Sequence, residues 1–544
     1  MTYKYAIDFG TTNSTVAIRL QDERTRVEST AVCKPMVPSI VYVDEFTDEH
    51  NIDLCRVGRE AKDDFPSGSG KYKALIREIK TAIDNEKEVI TTDSGLKFHS
   101  VLLAAAILRK LKSIADEMLD QLYISVHGVV MGVPVSFSDR SKAMLRRALV
   151  SAGFYQDEAE AKRLTEFVSE PVAVAVSYGL NVGSQKNVMV FDFGGGTLDV
   201  AILKLTPQGH ESDSHLPHDV LSKERLTLGG EDLNRLLYSK VFLSHYRKEM
   251  EQYRHQLGID RRTSLDDAKS VWASLSKTEP GIQLQERLEN LKQMLSTELI
   301  WDFQWTGPDG IFFPKTNIVQ SEFEEALNDV SDDIEELVQK CLDDSGLEYY
   351  DIDDVLLAGG SSLIPYIQNI LIEDMRFGNR VHGCARKKVV PNDVLTSIVK
   401  GLSVYACVED SKRRRIVDDI VDSDYGVWDT GQNRVSIILK KGTKFSDTEY
   451  QRAFASGGCY KDYRAVGMTD SFTAIPLDIY EVARRRDIKL GQIDLNRAGS
   501  GTYRIFMRAD PQSGCLVVDI YDRRTMKWYD DIPLEDRKFE LSVQ

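Results

Sequence analysis

Cysteine is scarce and unpaired in this sequence. The seven cysteines (Cys33, Cys55, Cys341, Cys384, Cys407, Cys459 and Cys515) include no C-x-x-C pair, and their number is odd. That pattern argues against a disulfide framework and a zinc site, and points to a reducing compartment. Long apolar runs are also missing: the most apolar stretch, Val101 to Leu108, is far short of a membrane span. Positive charge is in deficit, with a formal net charge of -16. Such a surface repels phosphates, so nucleic-acid binding is not expected, and acidity that aids solubility is the simpler reading. The first residues run directly into a strand-like segment, Tyr3-Lys4-Tyr5-Ala6-Ile7, so a leader is not expected. A cytoplasmic protein without membrane association is the expectation. The hydrophobic content of 42% is that of a globular protein, and 544 residues suit two or three domains.

Glycine-centred turns carry the main signal. Three stretches begin with an apolar β-type run and turn through glycine: Ile7-Asp8-Phe9-Gly10-Thr11-Thr12-Asn13, Val190-Phe191-Asp192-Phe193-Gly194-Gly195-Gly196-Thr197-Leu198-Asp199, and Leu356-Leu357-Ala358-Gly359-Gly360-Ser361. Glycine lets the backbone bend so that successive N–H groups point at a phosphate. In the first two stretches an aspartate precedes the glycine and hydroxyls follow it. A strand-end aspartate can hold water or magnesium opposite phosphates; the plainer reading is a residue that initiates a turn. Two nearly parallel copies point to a cleft between two similar lobes.

These stretches resemble those of the actin, sugar-kinase and heat-shock-70 superfamily. Ser169-Glu170-Pro171-Val172-Ala173-Val174-Ala175-Val176-Ser177-Tyr178-Gly179-Leu180 resembles the connecting segment of the heat-shock protein 70 family. Leu228-Gly229-Gly230-Glu231-Asp232-Leu233 is similar to that family's LGGEDF turn, and Val133-Pro134-Val135-Ser136-Phe137-Ser138-Asp139 to its VPAYFND segment. Glu289, Lys292 and Ser296 match its adenosine-pocket helix. By resemblance the chain is identified as a member of the heat-shock protein 70 family across roughly residues 1–408. The resemblance implies an α/β fold of duplicated actin-like ATPase lobes around a nucleotide cleft, followed by a small β-sandwich.

The segment 409–422 changes character. Arg413, Arg414 and Arg415 precede Ile416-Val417-Asp418-Asp419-Ile420-Val421-Asp422, and this stretch is expected to be the interdomain linker. From 423 to 544 short alternating strands (434–439, 475–482, 503–507, 515–521) are separated by turn-prone residues, as in a small sandwich. Leu490 to Leu495 and Leu439 to Ser446 resemble stretches of the family's substrate-binding β-domain. The chain ends soon after these strands, so a helical lid is not expected. Earlier, Ser138-Asp139 reads as a helix N-cap, and Trp301, Phe303 and Trp305 alternate at strand spacing as core residues. His210, His215 and His218 lie in a polar stretch that reads as a hairpin loop rather than a metal site.

The resemblance also assigns roles. ATP or ADP with magnesium is the implied cofactor, with Asp8, Glu170 and Asp192 holding the metal through its waters. Thr11, Thr12 and Thr197 would donate to phosphates or the attacking water, and Asp199 would face the same water. Gly10, Asn13, Gly194, Gly195 and Gly196 complete the phosphate loops. Lys73, in Tyr72-Lys73-Ala74-Leu75-Ile76, matches the family lysine that contacts the γ-phosphate; Lys71 and a plain surface lysine are the alternatives. Gly230, Glu231, Glu289, Lys292, Ser296, Gly359, Gly360 and Ser361 form the adenosine side. Leu363 stands where the family commonly has an arginine against the adenine. Slow ATP hydrolysis coupled to peptide or protein binding by the β-domain is the implied activity; a scaffold ATPase with one dedicated partner and a small-molecule kinase are the alternatives. A J-domain co-chaperone and a nucleotide-exchange factor are the implied partners. Glu166 stands where the family commonly carries the arginine that receives a J-domain aspartate, a charge reversal expected to weaken that partner.

Overall fold

The computed structural model describes residues 3–21, 28–34, 36–44, 47, 55–62, 73–92, 95–122, 126–134, 137–179, 184–206, 218–382, 391–406, 417–421, 423–429, 431–450, 457–465, 475–482, 487–495, 501–510, 516–533 and 539–540. Each Asp-x-Gly stretch closes a β-hairpin. In the first, β1 (Tyr3–Phe9) turns into β2 (Asn13–Gln21), which pairs with β3 (Glu28–Val32). Helix α1 (Ile79–Asp84), β4 (Val126–Val133), β5 (Thr165–Ser169) and α2 (Glu170–Gly179) follow. The second half repeats the plan with β6 (Lys186–Phe193), β7 (Leu198–Leu205), β8 (His218–Leu226), α3 (Gly230–Leu236), α4 (Glu279–Leu295), β9 (Asp354–Ala358) and α5 (Pro391–Tyr405).

The two main sheets share one topology. The first runs β5-β4-β1-β2-β3 and the second (Val381–His382)-β9-β6-β7-β8. In each, the hairpin strands pair antiparallel and the next two strands add in parallel. Parallel strands are covered on both faces, which explains their near-continuous apolar runs. Between the sheets, α2 and α5 bury one cluster that takes Ala6, Val130 and Val190 from the strands and Val172, Val399 and Leu402 from the helices. The helices approach so closely that a Cβ on Gly401 would lie 1.8 Å from the Ala173 carbonyl oxygen. Ser138 caps the helix Asp139–Ser151 by accepting from Ser141 N–H, as its sequence predicts. Phe303 and Trp305 are buried in the second lobe's core, and Trp301 packs against it.

The stretch expected to link the domains is partly structured. Val417–Asp418, here β10, pairs in parallel with His218 and Asp219 and so extends the second sheet. Ile420 joins the cluster between the lobes, whereas Val421 joins the core of the C-terminal strands. Adjacent residues of an extended chain point opposite ways, which anchors the junction on both sides. Residues 407–416, including Arg413 to Arg415, lie outside the described residues, as do His210 and His215.

Beyond the junction lie a five-stranded and a four-stranded sheet. They share a core to which the first contributes Val427, Leu477, Ile479 and Ile493, and the second Ile505, Met507, Val518 and Ile520. Burial of each such side chain is worth about 1.5–3 kcal/mol. Strands at Asp424–Asp429, Cys459–Ala465 and Lys527–Pro533 add to those read from the sequence. No described helix is long and apolar enough to cross a membrane.

Candidate functional site

The duplicated hairpins put the two aspartates on facing strand ends. Asp8 pairs with Thr15 across the first hairpin, and Asp192 with Asp199 across the second. A cavity of about 690 Å3, open mouth included, lies between them. Its walls include residues 10–13 of the first loop, 194–197 of the second, Gly359 and Gly360 of the third, and Asp8, Glu170 and Asp192. The loops interlock: a Cβ on Gly195 would sit 2.0 Å from Thr12 Oγ1, and one on Gly196 3.2 Å from Thr11 Oγ1. Gly359 takes φ +73°, and a Cβ there would lie 2.4 Å from the Phe193 carbonyl oxygen. Glycine is therefore required where the loops meet.

Among the described residues, the lysine that lines the cavity is Lys80. Its Nζ donates to Glu170 Oε1 at 2.6 Å, and the side chain is buried. Lys73 stands on the strand Lys73–Ile76, opposite Asp44, and its side chain lies outside the described residues. Between the two, the chain leaves the strand and reverses through Glu78, whose φ of 53° is left-handed, so that α1 turns Lys80 inward. Thr15, Met36, Val394, Leu395 and Ile398 also line the cavity and were not foreseen.

Burial governs the charges here. Burial and the neighbouring Glu170 push Asp8 up to about 7, with Lys80 opposing. Asp192 is raised by burial first, then by Glu170, Asp199 and Asp8. Burial lifts Asp199 to about 6 against the pull of Arg225; Thr197 Oγ1 donates to its Oδ2 at 2.9 Å. Burial works to discharge Lys80, but Glu170 and Asp8 outweigh it and keep the ammonium charged. Among the described residues, the cations that act on the carboxylates of Asp8, Asp192 and Asp199 are Lys80 and Arg225, and Lys80 also pairs with Glu170. This excess of buried negative charge fits a dication. Among the described residues no group of three or more His, Cys, Asp or Glu stands close enough to ligate a metal directly.

The adenosine-side residues gather beside the second loop. Gly230 N–H donates to the Gly194 carbonyl and Glu231 N–H to that of Gly195, both at 3.0 Å. Ser361 Oγ donates to the same Gly194 carbonyl at 3.0 Å. Lys292 Nζ reaches the Gly230 carbonyl at 3.1 Å and Glu289 Oε2 at 2.8 Å. Ser296 caps the end of α4, its hydroxyl donating to the Lys292 carbonyl. Two partners were missed: Trp272 Nε1–H donates to Glu231 and Asn234 Nδ2 to Glu289. Leu363 is half-buried at the end of the turn Gly360–Leu363. Across the cleft rim, Ile282 packs against Ile40, Tyr42, Ala61 and Leu75, and Lys62 pairs with Glu286 at 2.8 Å. Away from the cleft, Glu166 is not a bare charge: Lys4 Nζ donates to it at 3.0 Å.

Two lobes of one topology around a glycine-lined acidic cleft define the class: a duplicated actin-like ATPase fold. The Hsp70 protein family model matches residues 5–387. The chain is 26% identical over 407 residues to the chaperone protein DnaK of Thermosipho melanesiensis, an alignment covering 75% of this chain and 59% of that one. It is 27% identical over 372 residues to DnaK of Thermosipho africanus, covering 68% of this chain and 54% of the relative. The chain belongs to the Hsp70 family. It spans a little over half the length of these curated relatives.

Proposed function

We propose that the protein is an ATP-hydrolysing chaperone of the Hsp70 type. In this reading residues 1–408 bind nucleotide, 409–422 link, and 423–544 form a β-sandwich that binds a peptide or protein client. One observation carries the reading: two hairpins of equal topology converge Asp8, Asp192, Glu170 and Lys80 on a single glycine-walled cavity.

Asp8, Glu170 and Asp192 would hold the water shell of magnesium, which when bound neutralises charge on the β- and γ-phosphates. The N–H groups of residues 194–196 and the hydroxyls of Thr11 and Thr12 cradle the phosphates. Lys80 takes the γ-phosphate role that the sequence assigned to Lys73. Thr197 and Asp199 orient a water; its oxygen attacks the γ-phosphorus, the bond to the bridging oxygen breaks, and Asp199 receives the proton. Gly230, Glu231, Glu289, Lys292, Ser296, Gly359, Gly360 and Ser361 face the adenosine. Slow turnover is expected, since Arg225, the arginine that faces Asp199, already donates to Asp84.

Incubation with labelled ATP and magnesium tests the proposal. ADP and free phosphate are expected; phosphate transferred to a small acceptor identifies a kinase instead. Asp192→Asn is expected to lower the rate by one to two orders of magnitude, about 1.4–2.7 kcal/mol, with the fold intact. Full activity in that variant overturns the site assignment.

A further inference from the structure

Asp199 and Arg225 are register partners on neighbouring antiparallel strands, β7 and β8. Arg225 Nε and Asp199 Oδ1 stand 3.9 Å apart, too far for a hydrogen bond. Both atoms are buried and neither has a hydrogen-bond partner. Buried polar groups are almost always satisfied, so two complementary orphans facing each other need a cause. The other end of the guanidinium supplies one. Arg225 Nη2 donates to Asp84 Oδ2 at 2.6 Å. Asp84 ends α1, in the opposite lobe, one helical turn beyond Lys80. A single arginine thus spans the lobes between the water-facing carboxylate and the helix that presents the cleft lysine.

We propose that Arg225 is a positioning residue that latches the lobes at the γ-phosphate end of the cleft. Asp199 and Arg225 belong to one sheet, so closure on nucleotide moves Asp84 instead. As α1 advances, the guanidinium it holds swings until Arg225 Nε donates to Asp199 Oδ1 while Nη2 keeps Asp84, and Asp199 and Lys80 are set in one movement. Catalytic hydrogen bonds are commonly long before substrate binds and tighten afterwards. Arginine suits the task because its rigid planar fork serves two carboxylates at once, which a point-like ammonium cannot do. This inference rests on the ATPase reading.

The test uses the full chain with ATP and magnesium, and the variants Arg225→Gln, Arg225→Lys and Asp84→Asn. Arg225→Gln is expected to lower kcat ten- to a hundred-fold or so, through misplacement of Asp199 and Lys80, with KM changed less than about threefold. Arg225→Lys regains only part of the rate. Asp84→Asn loses less than Arg225→Gln, and combining the two is no worse than Arg225→Gln alone, because both act through one tie. Full kcat in Arg225→Gln, equal losses in kcat and KM, or additive losses in the double variant overturn the latch. If Arg225→Gln does not fold, the Lys and Asn variants decide by the same comparison. Hydrogen exchange over residues 79–84 gives a readout independent of turnover: ATP is expected to slow it in the parent and not in Asp84→Asn. If the parent binds ATP without hydrolysing it, the hydrolysis proposal falls and this comparison alone judges the latch. Equal exchange in parent and variant overturns it.

Discussion

At the scale of single residues, Lys80 separates what sequence matching sees from what folding does. Lys80→Ala is expected to cost about one to two orders of magnitude in kcat, whereas Lys73→Ala stays close to the parent. Steady-state ATPase assays on the two variants check this, and the reverse order restores Lys73. The aspartates were legible because Asp-x-Gly carries its own turn chemistry. Lys80 was not singled out, because a local match cannot register the left-handed reversal at Glu78 that brings it to the cavity wall. One signal was available: Lys80 shares a short helix with Ile79, Ala82 and Ile83, all buried. Cysteine allows a second prediction. Burial pushes Cys33 and Cys55 up to about 11 and Cys341 to about 12. At pH 8 a thiol near 11 is thiolate in roughly one molecule per thousand, so iodoacetamide should leave all three largely unmodified in native protein. Rapid labelling of Cys341 would count against the buried site, where it meets Ser222 and the Val200 carbonyl.

At the scale of elements, β8 joins the lobes' chemistry to the C-terminal strands. Lys223 pairs with Asp419 at 3.0 Å, and the next residue, Glu224, takes Lys340 and Lys441 together. Burial alone would raise the Glu224 carboxyl, but the two lysines outweigh it and hold it below the ordinary 4.5. Its folded value is depressed, so its stabilisation is full above 4.5 and is lost as pH falls through the lower folded value. Glu224→Gln should remove about 1–2 kcal/mol at neutral pH and flatten the acid side of the melting curve. Thermal melts from pH 7 to pH 3 measure this; an unchanged acid limb argues against the contact. Regular strands of the C-terminal region were readable from period-2 alternation. β10 was not, since a two-residue strand has no period and exists only because β8 offers an edge. The lobes' repeated topology was legible in outline from the paired hairpins, while pairing between distant strands required the tertiary structure.

At the scale of the molecule, the proposed reading would set a J-domain against Glu166, which is paired with Lys4. On that reading a generic J-domain is expected to stimulate ATP hydrolysis weakly or not at all, because its aspartate would meet a carboxylate; like charges there cost on the order of several kcal/mol. Glu166→Arg alone is a poor test, since it places two cations together and should lower the melting temperature. The swap Lys4→Glu with Glu166→Arg preserves the pair and presents the arginine. Stimulation confined to the swapped protein supports the docking argument, and strong stimulation of the parent overturns it. The duplicated sheets carry a wider consequence. Strand register equates Thr15 with Asp199, since each faces the aspartate of its own hairpin. Two true copies would offer a bound molecule the same pair of hands, and either end of it could enter. Here one hand carries a hydroxyl and the other a carboxylate, so on the proposed reading only the second lobe takes up a proton. The broken symmetry gives the cleft a direction, with the reacting end of its ligand committed to one side.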